Sequence, residues 1–248
     1  MGSRSTRPVC KGRREGGVLT LRHARRSAVA AVAAGALPAL LRLARRSGVS
    51  NADVERALPG DDLIADPETQ IDRATMISAP ASQVWPWLVQ LGKGRASWYM
   101  PGWLERVVVW PPRKRSATRI VNELQSLQPG DFVPDWGPGN PSFNVIELDP
   151  PRALVYLSLR DRSRNWSWPI DDGPRSDLMA FSWALVLDEI DADNSRLHIR
   201  LRGRFGKRGR LRPVSMPLGG LLDYLTIIVM FAGLKQRVAQ PPRDRGPG

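Results

Sequence analysis

Four carboxylates, Glu105, Asp131, Asp135 and Asp223, are the side chains of this sequence best suited to proton chemistry. Desolvation raises the pKa of a carboxyl set in an apolar cavity, so that it can give or take a proton near neutral pH. Asp223 interrupts an apolar helical pattern. Either it works inside a cavity, or it points outward in a first helical turn, where negative charge suits the helix dipole. No other catalytic residue is assigned. Nucleophilic catalysis needs Ser or Cys beside a positioned His. The chain has two histidines: His23 in a basic tail, and His198 on an Arg-rich strand face expected to meet solvent. Two histidines and the single Cys10 do not build a zinc site. Phosphate-loop, dinucleotide-binding and His-Glu-x-x-His patterns are lacking, so neither a metal nor a cofactor is expected.

The residues suited to holding a ligand are aromatic. Ala79 to Glu105 contains Trp85, Trp87, Trp98 and Trp103, four of the nine tryptophans. Large rings with few rotors suit the wall of an apolar pocket. The ligand-contact candidates are Trp98, Tyr99, Trp103 and Trp183, with Leu222 and Met230 from the last apolar stretch. Trp85 joins them on type alone. For Trp87 and Trp183 core packing is the favoured reading, whereas for Trp98, Tyr99 and Trp103 packing and ligand contact stand level.

These residues need elements to position them. Ile71 to Ser78 reads as a strand. Pro80 and Ser82 open a helix in which Val84, Trp87, Leu88 and Leu91 form one stripe, and Gly92 ends it. Ser97 to Val109 reads as a second short helix. Short strands follow from Gly130: DFVPDW, SFNVIEL, ALVYLSL, AFSWALVLDEI and RLHIRLRG. DPPR and DADN join them as hairpin turns. Phe181, Trp183, Leu185 and Leu187 share one strand face, and Leu197, Ile199 and Leu201 another, which predicts antiparallel strands buried on one side. Met216 to Val238 is expected to be a long closing helix whose apolar face holds Leu218, Leu221, Leu222, Leu225, Ile228, Val229 and Ala232.

The net charge of +13 is uneven. Residues 1–50 hold 11 of the 37 Lys and Arg residues and only one acid, Glu15, so the remainder is near balance. Nucleic-acid binding is therefore disfavoured. The chain divides into a basic extension at 1–47, a linker at 48–68, a domain at 69–238 and a disordered tail at 239–248. Val18, after an Arg-Arg-Glu-Gly-Gly run of the kind purine-rich codons encode, is a candidate start of translation. The uncharged run 27–41 lies between arginines and is shorter than a bilayer requires. It reads as a membrane anchor, a docked helix or an export signal. The expected place is the cytoplasm, at or near a membrane through residues 22–46. An anionic membrane surface could also be met by the basic run Arg200–Arg212.

The blocks ALPGDDLI (57–64), RATMISAP (73–80), VWPWLVQLGKGR (84–95), WY with WLE (98–105), LQPGD (127–131) and SWALVL (182–187) together resemble the SRPBCC superfamily. This superfamily includes START lipid-binding domains, and the likeness is to its bacterial polyketide cyclase/dehydrase-like branch. The resemblance implies an α+β helix-grip fold. In that fold a curved antiparallel β-sheet wraps round a long C-terminal helix, with two short helices after strand 1 and an apolar cavity between sheet and helix. It implies binding of a small hydrophobic or lipid-like molecule. The alternatives are a cyclase or dehydratase using a cavity carboxylate or Tyr, and a membrane-associated interaction protein without a ligand.

Overall fold

A computed structural model describes residues 45–108, 116–135, 141–161, 178–205 and 212–240. The apolar run 27–41, the rest of the basic extension to residue 44 and the tail from residue 241 lie outside them. The architecture is α+β, with one seven-stranded sheet. The strands are β1 (Arg46–Ser47), β2 (Thr69–Ile77), β3 (Phe132–Pro134), β4 (Ser142–Asp149), β5 (Ala153–Asp161), β6 (Leu178–Asp191) and β7 (Asn194–Arg204). Their order across the sheet is β1-β2-β7-β6-β5-β4-β3, and every pairing except β1 with β2 is antiparallel. The helices are α1 (Asn51–Glu55), α2 (Ala81–Val89), α3 (Gly102–Val108) and α4 (Arg212–Val238).

The alternation of β2 and β4 to β7 decides what lies on the inner face. Register places Ile71, Leu201, Trp183, Tyr156 and Val145 in one row across five strands. The next row is Arg73, Ile199, Leu185 and Leu154. Against this face pack Val84, Trp87 and Leu88 of α2 and Ile227, Met230, Phe231, Leu234 and Val238 of α4. The four residues of the expected α2 stripe are all buried. The α2 N-cap is extended Pro80, and no side chain caps it, so Ser82 does not have that role. The buried face of α4 is rotated from the expected one. Leu225 and Ile228 are exposed, as is Ala232, while Met230, Phe231 and Leu234 point inward. The helix is apolar on too many sides for periodicity to choose a face.

The outer face corrects the expectation of strands buried on one side. Residues 48–68, read as a linker, form a strap across it. Leu58 packs on Val155, Ala184 and Val186, and Ile64 on Leu157, Leu159 and Ala180. Ser50 starts the strap with a capping box to Asp53, which forms α1. The alternate residues of β7 then hold it. Arg196 donates to both Asp53 oxygens (2.9 and 3.1 Å) and to Gly48 O (3.1 Å). Arg200 donates to Asp72 Oδ1 (2.7 Å), Asp61 Oδ2 (2.7 Å) and the carbonyls of Asp53, Val54 and Arg56. Arg202 reaches Ala65 O (3.0 Å). His198 is 0% exposed, not solvent-facing as expected, and its Nε2 lies 3.0 Å from Asp72 Oδ1. The strap excludes water from a face that sequence alone would leave wet.

Arg200→Met leaves the Asp72 carboxylate buried with one strong partner removed. It is expected to cost about 3 kcal/mol or more in denaturant unfolding, with faster amide exchange across residues 51–56. Acid should loosen the same strap. The Ser50 N–H, its hydroxyl and Arg196 lower the Asp53 pKa to about 2, and hydrogen bonds from His198, Gln70 and Arg200 hold Asp72 low despite its burial. Both groups have folded-state values below their unfolded ones. Their stabilisation is therefore complete above about pH 4 and is lost as the pH falls towards 2. Unfolding midpoints measured across that window should drop, and an Asp53→Asn variant should show a shallower fall.

Candidate functional site

After α2 the chain makes a tight turn. Gly92 (φ 129°), Gly94 (φ 75°) and Ser97 (φ 66°) take left-handed backbone, and Gly92 and Ser97 bridge each other. This corrects the expected helix from Ser97: α3 begins only at Gly102, after Pro101. Trp98 and Tyr99 therefore belong to an extended link that runs under α4. Gly233 of α4 makes that approach feasible, since a Cβ there would lie 2.7 Å from Met100 C and 2.8 Å from Tyr99 C.

The link delivers Trp98 to the inner face, where its ring centroid is 5.2 Å from that of Trp183. Phe143 lies 5.8 Å and Tyr156 6.2 Å from Trp183, and Phe143 and Tyr156 are 5.9 Å apart. The four rings form one buried cluster in the core that also holds Met230. Among the described residues, two of its polar atoms, Tyr156 Oη and Trp98 Nε1, are buried without a hydrogen-bond partner. A buried donor left unpaired costs about 1–3 kcal/mol. Two in one cluster mark a place where a partner belongs.

Of the six ligand-contact candidates, Trp98 and Trp183 come together here, and Met230 lies in the same core. Tyr99 is in the same core with its hydroxyl already engaged: it donates to Trp87 O (2.8 Å) and accepts from Gln90 Nε2 (2.9 Å). Trp103 is 63% exposed on the outer side of α3 and does not join the cluster. Its helix has Glu105 as the inward residue instead, buried against Arg237 (3.4 Å). The side chain of Leu222 lies outside the described residues. Trp85 and Trp87 are core residues.

The carboxylates separate by role. Glu105 accepts from Ser116 N (3.0 Å) and Asp131 from Gln128 N (2.8 Å), so each stabilises a local turn or helix contact. Asp135 pairs with Arg160 (2.8 Å), and Asp223 pairs with Arg73. Its partner Arg73 belongs to neither of the expected alternatives for Asp223. Arg73 sits on the inner face, almost fully buried and 5.7 Å from the Tyr224 ring centroid, and it holds α4 to β2. Burial raises the Asp223 pKa, Arg73 opposes the rise and the charge on Asp135 adds to it. Nearly a third of the Asp223 side chain is accessible, so that burial is partial.

Sequence reading missed Tyr156, Phe143, Arg73 and Arg160. Tyr156 carried a signal, as the one hydroxyl-bearing ring in ALVYLSL at an inward alternate position. Arg73 carried another, a charge in register with Ile71 and Ile77. Arg200, part of the basic run assigned to a membrane, is spent on the strap. Among the described residues no helix is long and apolar enough to cross a membrane, and no group of three or more metal-ligating side chains occurs.

No family model matches the chain, and no curated protein matches it by sequence. Solved structures do. A protein from Arthrobacter aurescens is similar at 11% identity and a TM-score of 0.39, over 70% of this chain and 87% of that one. Protein MLL2253 from Mesorhizobium loti is similar at 16% and 0.37, over 68% and 96%. The Zhui aromatase/cyclase from Streptomyces sp. R1128 is similar at 14% and 0.38, over 68% and 92%. At these identities and TM-scores the likeness fixes neither a ligand nor a reaction.

Burial pushes the phenols of Tyr99 and Tyr156 well above the usual tyrosine range near 10. A raised folded-state value stabilises the fold below the unfolded pKa and ceases to do so as pH rises beyond it. In an alkaline titration followed by phenolate absorbance, these two groups should ionise only as the fold is lost. Ionisation of either with the near-ultraviolet circular dichroism intact would contradict their burial.

Proposed function

We propose that this chain binds a small apolar molecule carrying an oxygen acceptor, held between the inner sheet face and α4 in a helix-grip arrangement. The observation that carries the reading is the pair of buried, partnerless donors, Tyr156 Oη and Trp98 Nε1, inside one ring cluster. An apolar core gains nothing from such groups, whereas a carbonyl or hydroxyl oxygen on a ligand would satisfy both. The rings supply contact area, and Met230 adds an adaptable surface. An acid–base enzyme of the cyclase or dehydratase kind is the second reading. It is favoured by the raised Asp223 pKa, with Asp135 adding to the rise. The Arg73 pair tells against it, because a guanidinium holds the carboxylate charged.

Tyr156→Phe separates binding from packing. Removing a partnerless buried hydroxyl should leave stability unchanged or raise it by about 1 kcal/mol. In calorimetric titration with 6-hydroxy-2-naphthamide, a neutral bicyclic probe, the same change should weaken binding about tenfold, the worth of a good hydrogen bond in a dry site. If the variant is destabilised and binds the probe as the parent does, the hydroxyl serves the fold and the reading fails.

A further inference from the structure

On the ligand-binding reading above, we infer that the ligand is a monoanion, an apolar carboxylic acid whose carboxylate is taken by Arg160. Arg160 lies on the inner face of β5, at the alternate positions that carry Tyr156 and Ser158, and closes one end of the ring cluster. Its guanidinium carbon is 5.1 Å from the Phe143 ring centroid and 5.5 Å from that of Phe181. Phe143 in turn contacts Tyr156 and Trp183. One ring thus joins the charged group to the partnerless hydroxyl.

The bonds of Arg160 leave one edge of the fork open. Nε donates to Ser158 Oγ (2.9 Å) and Nη2 to Asp135 Oδ2 (2.8 Å). Among the described residues Nη1 makes no hydrogen bond. The side chain is 12% exposed, so the group is largely dry yet not sealed off. Arg73, the other inner-face arginine, is different: it is engaged by Asp223, Gly220 O and the Tyr224 ring, and it is buried. A planar guanidinium with open donors, set on aromatic faces, matches a carboxylate better than a neutral oxygen. The bond is charge-assisted, and the rings reinforce the cation. Asp135 sets the charge of the guest. It already contributes one negative charge to the same guanidinium, so a second single charge is accommodated and a dianion such as a phosphate monoester is opposed. The guest therefore carries its carboxylate at the Arg160 end and an oxygen acceptor towards Tyr156 and Trp98, with a flat apolar body between.

Calorimetric titration of the full chain with 6-hydroxy-2-naphthoate and its neutral amide at pH 7 tests this. The acid should bind about tenfold tighter than the amide, because its full negative charge meets the guanidinium where the amide offers only a carbonyl dipole. Arg160→Gln should erase that ratio, with the acid losing about tenfold more affinity than the amide. Asp135→Asn, which removes the competing charge and keeps an amide oxygen able to accept from Arg160 Nη2, should widen the ratio. Equal affinities for acid and amide in the parent chain would overturn the inference and leave ligand binding standing. So would an equal loss of both probes in Arg160→Gln, or a narrower ratio in Asp135→Asn. If neither probe binds, the ligand-binding reading falls, and the inference with it.

Discussion

The Asp72 carboxylate is 1% exposed in the outer face of the sheet, and the fold is organised around keeping it satisfied. It accepts from Arg200 Nε, Gln70 Nε2 and, in the tautomer that gives Nε2 the proton, His198. Arg200 spends its remaining donors on Asp61 and on three strap carbonyls. A buried charge is tolerable only when its partners are fixed. Here the partners are fixed by the strap, and the strap is fixed by them. The outer face can then be dry. Val155, Ala184 and Val186 can point outward and still be buried, and β5 and β6 become the centre of a layered core.

That arrangement explains which parts of the fold were legible in sequence. The inward alternation of β6 and β7, the DPPR and DADN turns and the Val84-Trp87-Leu88-Leu91 stripe are period-2 and period-3.6 patterns that each segment carries by itself. The strap is different. GVSNADVERALPGDDLIADPETQ has the turn residues and charges of a linker, and its burial depends on arginines about 140 residues later. The same long-range dependence misplaced His198 and Arg200. Their strand face looks solvated because the covering segment is not a strand and leaves no periodic mark. The face of α4 was misjudged for the opposite reason. Leu225 and Ile228 are apolar but exposed, and the difference from Met230 and Phe231 lies in where α2 and the Tyr99–Met100 link happen to press.

The site was half legible for the same kind of reason. Residue type singled out the aromatic block, and Trp98 and Trp183 do meet, 85 residues and several elements apart in the chain but 5.2 Å apart in space. Residue type does not say which hydroxyl is spent. Tyr99 and Tyr156 are both inward, buried phenols. One is tied to Trp87 O and Gln90, and the other has no partner, a distinction that arises only from the positive-φ turn at 92–97 that carries Tyr99 past α2. Chemistry here is assigned by what remains unpaired after packing, and pairing is a property of the assembled fold.

One peptide unit on β2 ties together the two covers of the sheet. Asp72 faces outward to the strap, and its neighbour Arg73 faces inward to Asp223 of α4. The N-terminal and C-terminal parts of the described chain thus meet across a single bond, with the sheet as the membrane of a drum between them. The anchor of the strap and the anchor of the helix are consecutive residues of one strand, and neither cover can be placed without fixing the backbone from which the other is held.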